Sequence, residues 1–163
     1  MKSVLISIQP EWCEKIASGE KTIEVRKTRP KIKTPFKVYI YCTQNTPYNP
    51  VIPMRYEKEG GNIYTGGKRY SEFLTGKVIG EFVCDRIAGE GETIRGNACL
   101  TVEEIQDYCN GKVLYLWHIS DLKIYDKPKE LGEFCTVKEI GGYEEFKRIA
   151  RPPQSWCYVE ELK

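Results

Sequence analysis

A single histidine, His118, stands in 163 residues, so no multi-histidine metal site can be built. It sits inside LYLWHIS, where a lone histidine reads as a satisfied strand residue. No apolar run approaches the ~20 residues of a membrane-spanning helix. The opening stretch, MKSVLISIQPEWC, breaks its short apolar run at Gln9 and Pro10, so no secretory leader is expected. Cysteine pairs at metal-binding spacing are also missing. The seven cysteines, at 13, 42, 84, 99, 109, 135 and 157, are odd in number, and no two lie within four residues. Cys42, Cys84, Cys135 and Cys157 sit in apolar or aromatic runs, as small hydrophobes do. This argues against a disulfide framework and a cysteine zinc site. The expectation is a protein of the reducing cytoplasm with no metal, no cofactor and no membrane partner. A net charge of +2 is too small to imply nucleic acid by itself.

What is there is an ordinary globular composition, 40% hydrophobic and 29% charged, at a length that suits one domain over 1–163. The charge is unevenly spread. Lys21, Arg26, Lys27, Arg29, Lys31, Lys33 and Lys37 face one acid, Glu24, whereas residues 130–145 hold five glutamates and one lysine. Such asymmetry draws anions toward the N-terminal third.

Strand signals dominate the chain. Residues 4–8 read as a buried strand, and Pro10 and Gly19 punctuate a short helix carrying Cys13, Ile16 and Ala17. KTIEVR then alternates, with Ile23 and Val25 on one face and Thr22, Glu24 and Arg26 on the other. FKVYIYCT and GKVIGEFVCDRI are further strands. VLYLWHISDLKIYDKP is a long strand or strand pair expected to end at Pro128. TVEEIQDYC is a helix with a capping box from Thr101 to Glu104. GYEEFKRIA reads as a short helix stopped by Pro152 and Pro153, and QSWCYVEEL as the last strand.

Residues 43–76 stand apart. Pro47, Pro50 and Pro53 forbid a continuous helix or central strand, and Gly60-Gly61 and Gly66-Gly67 are expected to mark turns around a strand at NIYT. This is an inserted flap with too few apolar residues for a core. It interleaves Arg55, Tyr56, Lys58, Tyr64, Lys68, Arg69 and Tyr70, a mix suited to stacking bases or dressing a surface hairpin. The fold class is α+β: a mixed, mainly antiparallel sheet curled into a β-barrel, with two or three short helices.

The segment ISIQPEWCEKIASGEKTIEVR resembles the start of an ASCH domain, a branch of the PUA-like β-barrel superfamily. The family pattern Gly-x-Lys-x-x-Glu-x-Arg reads here Gly19, Lys21, Glu24, Arg26. GKVIGEFVCD and RPPQSWCYVEEL are similar to short bacterial and phage-type (prophage) members. The resemblance implies a cleft beside a barrel that holds RNA or a modified base. One small bacterial group of the family removes the acetyl group from acetylated cytidine nucleosides. It resembles this chain at Lys21 and Thr22, but has a catalytic threonine where this chain has Glu24.

The residues themselves support two chemistries. Glu24 and Arg26 share a strand face and can pair, while Lys21 leaves the preceding turn. Arginine offers a planar fork to phosphate or a guanine edge. Lysine becomes a base when burial lowers its pKa. One reading is an RNA- or modified-nucleotide-binding module. It uses Lys21, Glu24 and Arg26, with Ser155 or Trp156 on the wall beside Gln154, and Lys27, Arg29, Lys31 and Lys33 on RNA. The other is a small amidohydrolase acting on an acylated nucleoside such as acetylated cytidine. There Lys21 is the base, a water is held by Glu24 or Thr22, and Arg26 stabilises charge.

Overall fold

The computed structural model describes residues 2–44, 52–57, 63–69 and 74–162, with backbone alone for 52–57 and 63–69. Strand β1 (Lys2–Ile8) leads into helix α1 (Pro10–Ala17), followed by β2 (Ile23–Arg26) and β3 (Phe36–Cys42). Next come β4 (Ile52–Glu57), β5 (Ile63–Arg69), β6 (Lys77–Cys84), β7 (Ile87–Ala88) and helix α2 (Val102–Cys109). The chain ends with β8 (Tyr115–His118), β9 (Ser120–Glu130), β10 (Cys135–Ile140), β11 (Tyr143–Arg148) and β12 (Trp156–Glu160).

Seven strands form one sheet in the order β11-β10-β12-β1-β3-β6-β9, three form a second in the order β2-β8-β7, and β4 pairs with β5. β1 and β3 run parallel, and the other strand pairs are antiparallel. The architecture is therefore mixed α+β and mainly antiparallel, with two α-helices among the described residues. Among those residues the large sheet ends at β11 and β9 without closing on itself. No described helix is long and apolar enough to cross a membrane.

The central strand β1 explains the core. Its alternate residues point to opposite faces, and both faces are covered. Val4, Ile6 and Ile8 pack with Val38, Ile40, Phe82 and Trp117, whereas Leu5 packs with Tyr39, Val78, Phe134 and Val159. Truncating a fully buried ring such as Phe82 to alanine costs about 3–5 kcal/mol at sites of this kind. Helix α1 seals one end by burying Cys13, Ile16 and Ala17. Proline opens its first turn, and Gly19 at φ +80° takes the left-handed position that ends it. α2 carries the capping box read from the sequence: Glu104 N donates to Thr101 Oγ1 at 3.2 Å, and Thr101 N donates to Glu104 Oε2 at 2.7 Å.

Three local expectations are corrected. GYEEFKRIA is not a helix: Tyr143–Arg148 is β11, paired residue for residue with β10. Gly141 and Gly142, at φ +61° and +84°, make a two-residue turn between Ile140 and Tyr143, and two positive φ values are what a hairpin turn needs. Pro128 does not end its strand, because β9 is an edge strand and the register shifts between Val78 and Gly80. Gly66-Gly67 is not a turn either. Pro53 pairs with Lys68 and Arg55 with Thr65, which leaves the glycine pair as a bulge opposite Met54 within β5. The Gly60-Gly61 turn, Lys58 and Tyr70 lie outside the described residues, as do the side chains of Arg55, Tyr56, Tyr64, Lys68 and Arg69.

Candidate functional site

The turn after α1 is tied on both sides. Lys21 N donates to Lys15 O at 2.9 Å. Thr22 is stitched to the 96–98 loop, with its N–H on Asn97 O and its Oγ1 accepting from Asn97 N, each at 2.9 Å. All four residues of strand β2 are buried, and Glu24, Val25 and Arg26 all line the cleft described below.

The three charged groups of the motif meet. Lys21, Glu24 and Arg26 are only 3%, 6% and 9% exposed. Glu24 stands between the cations, with Oε1 2.9 Å from Arg26 Nη2 and Oε2 3.5 Å from Lys21 Nζ. Lys21 Nζ also donates to Ala98 O at 2.7 Å and lies 5.2 Å from the Trp12 ring centroid. Arg26 Nη2 donates to Ser7 O at 2.6 Å, Nη1 donates to Ser155 Oγ at 3.4 Å, and Nε is buried without a partner. Burial lowers the Lys21 pKa from its ordinary value, and the Glu24 carboxylate works against that fall.

These groups form the floor of a cleft of about 550 Å³. Gln9, Glu11 and Trp12 from the start of α1 make one wall. Glu104, Asp107 and Tyr108 from α2 make another, and Gln154 joins them from the C-terminal segment. The floor alone suggests spare positive charge. With both helices in place, Lys21 and Arg26 are set against four carboxylates: Glu11, Glu24, Glu104 and Asp107.

A second hollow, of about 880 Å³, has the opposite character. Lys27, Arg29, Lys31 and Lys33 line it with Ile32, Ile87 and Tyr115, and among the described residues no acid does. Lys27 Nζ sits 4.6 Å from the Tyr108 ring and so bridges the groove to the cleft. Arg29 lies 5.4 Å from the Tyr115 ring.

The remaining candidates are placed as follows. Thr22 belongs to the turn and does not line the cleft. Ser155 touches Arg26 but is not on the wall. Trp156 packs beside Trp117 and Tyr158 and donates from Nε1 to Thr28 Oγ1 at 2.9 Å, so it fastens the basic loop to the core. His118 pairs with Asp85 at 2.7 Å. All seven cysteines are free. Sequence reasoning missed Glu11, Glu104, Asp107 and Tyr108; Trp12, read as core or rim packing, does pack against the core and also lines the cleft. A helix with no buried residue, as α2 is, carries no local sign of the surface it helps to form.

The chain is thus a mixed α+β domain with a buried Lys-Glu-Arg cluster under an open cleft. The ASCH domain model matches residues 6–159, and the chain belongs to the ASCH domain family, which is associated with RNA binding. Solved structures agree on the fold. The crystal structure of an ASCH protein from Zymomonas mobilis is 19% identical with a TM-score of 0.58, covering 98% of this chain and 88% of that one. A tyrosine-to-phenylalanine mutant of that protein is 19% identical with a TM-score of 0.61, covering 99% and 92%. No curated protein matches the chain.

Proposed function

We propose that this chain is a binding module for RNA or a modified nucleotide. It is built as a single PUA-like β-barrel in which 43–76 is an inserted flap, and it acts in the cytoplasm. A nucleobase enters the cleft above Lys21, Glu24 and Arg26, while the phosphate backbone lies along Lys27, Arg29, Lys31 and Lys33. The observation that carries the reading is the contrast between the two hollows among the described residues: four carboxylates around two cations in one, four cations and no acid in the other. The acidic cleft repels phosphate and accepts the amino and imino donors of a base. The basic groove attracts phosphate and steers it. Trp12 and Tyr108 add aromatic surface to the cleft. Ser155 and Trp156 serve by holding Arg26 and the basic loop.

The test is a salt titration of single-stranded RNA binding. Each phosphate contact contributes about 0.7 to the slope of log affinity against log salt, so neutralising the four groove cations together lowers that slope by up to about 3. An unchanged slope contradicts the reading.

One observation favours the amidohydrolase alternative. Burial lowers the Lys21 pKa, which raises the fraction of neutral amine able to take a proton from water. The resulting hydroxide would attack the acyl carbon, and the proton would pass to the departing amine. Acetate release from acetylated cytidine should then rise with pH and vanish in Lys21→Arg, because arginine stays protonated. Rapid release would place the hydrolase first.

A further inference from the structure

The β10–β11 hairpin ends the large sheet with an unusual outer strand. β10 pairs with all of β11 but is in ladder register with β12 only at Thr136 and Val159. Every residue of β11 is exposed, Tyr143 and Phe146 by 82% and 49%, and Ile140 beside the turn by 60%. A two-stranded ribbon with so little cover is marginal by itself. β11 is also the end strand of the large sheet, with six consecutive pairs to β10, no bulge and no proline to protect it.

The order of residues in β11 specifies what fits there. The strand reads Tyr143-Glu144-Glu145-Phe146-Lys147-Arg148, with two acids, an aromatic ring and then two bases. Read antiparallel against itself, it sets acid opposite base on both sides of the ring. Read parallel and in register, it sets like on like. Strand edges also fix the register. The Gly141-Gly142 turn closes with the Tyr143 N–H turned toward Ile140, so the main-chain groups of Tyr143, Glu145 and Lys147 face β10. Those of Glu144, Phe146 and Arg148 face outward. The register that pairs all three outward residues on each edge sets Phe146 opposite Phe146 and Glu144 opposite Arg148. Glu145 then falls opposite Lys147. Each edge presents three N–H and three C=O groups, and each finds a partner. Glu144 also lies 3.2 Å from Lys2 of its own chain.

We infer that β11 is a homodimer interface at which a second copy of this chain adds its own β11 antiparallel, about a two-fold axis at Phe146. The contact is isologous and closed, so it stops at two copies. It joins the two large sheets into one continuous sheet. It involves none of the residues of the cleft or the basic groove, so it stands whether or not the functional reading does.

The test is sedimentation equilibrium on the full chain over a concentration series. The expected result is a reversible monomer–dimer equilibrium with the heavier species at twice the 18.9 kDa of the chain. Arg148→Glu places acid opposite acid at two symmetric positions and should weaken the dimer about tenfold or more. Glu144→Arg combined with Arg148→Glu restores the pairing and should recover it. Amide exchange gives a readout that needs no variant. The N–H groups of Glu144, Phe146 and Arg148 should slow as concentration rises, while those of Glu145 and Lys147 stay constant. A chain that remains monomeric at about 0.5 mM overturns the inference, as does a dimer whose protection pattern leaves those three amides unchanged.

Discussion

Replacing Glu24 with glutamine removes one charge from the middle of the cluster and leaves two buried cations facing each other. Glu24 is 6% exposed and bonded on both oxygens, at 2.9 Å to Arg26 and 3.5 Å to Lys21. Breaking a buried ion pair by deleting one partner costs about 3–5 kcal/mol, because the remaining charge stays desolvated. Glutamine keeps one carbonyl oxygen for Arg26, so the lower end, about 3 kcal/mol, applies here. With a urea slope of about 2 kcal/mol/M for a domain of this size, the unfolding midpoint should fall by about 1.5 M at neutral pH. The pH dependence sharpens the test. Lys21 has a folded-state pKa below its unfolded value, so the unfolded chain binds the extra proton and stability rises with pH between the two. In the wild type Glu24 holds the folded value up; without it that value drops and the rise begins at lower pH. The deficit of the variant should therefore shrink as pH climbs toward the unfolded lysine pKa of about 10.4. A deficit under about 1 kcal/mol at neutral pH, or one that grows with pH, would refute the claim that Glu24 compensates both cations.

Two further outcomes follow from the same geometry. Thr101→Ala removes the side-chain acceptor of the α2 capping box and should cost about 1 kcal/mol in thermal unfolding; because α2 carries Glu104, Asp107 and Tyr108 of the cleft wall, ligand affinity should fall with it. Burial pushes the Cys84 thiol up to about 12 and Cys157 to about 11, so alkylation at pH 8 should be slow at both and slowest at the buried Cys84, while the part-exposed Cys99 and Cys135 react; fast labelling of Cys84 by mass spectrometry would show that the barrier around it opens readily.

The parts of the fold legible in the sequence are those with local causes. Pro10 and Gly19 bracket α1, Thr101 and Glu104 cap α2, and the apolar runs at β1, β3 and β6 are buried strands. β11 was misread because glutamate, lysine and arginine are good helix formers, whereas the adjacent Gly141-Gly142 turn decides the conformation. The site divides in the same way. Lys21, Glu24 and Arg26 lie within six residues, so their meeting is written in strand alternation. The carboxylates that reverse the charge of the cleft arrive from α1 and α2. Glu104 and Asp107 are about eighty residues from the motif, and nothing in TVEEIQDYC marks the face it will turn toward Lys21. The basic loop was visible as a run of charge; its separation into a groove of its own was not.

The central claim is that base and phosphate are held in two different hollows joined at Lys27 and Tyr108. The most direct measurement is an NMR titration of the isotope-labelled chain with a short single-stranded RNA, followed by the same titration with inorganic phosphate. The account predicts that RNA shifts the amides of both Lys21–Arg26 and Lys27–Lys33, with Tyr108 among them, and that phosphate shifts only the second group. RNA binding that leaves Lys21–Arg26 unmoved, or phosphate that perturbs the cleft as strongly as the groove, would contradict it.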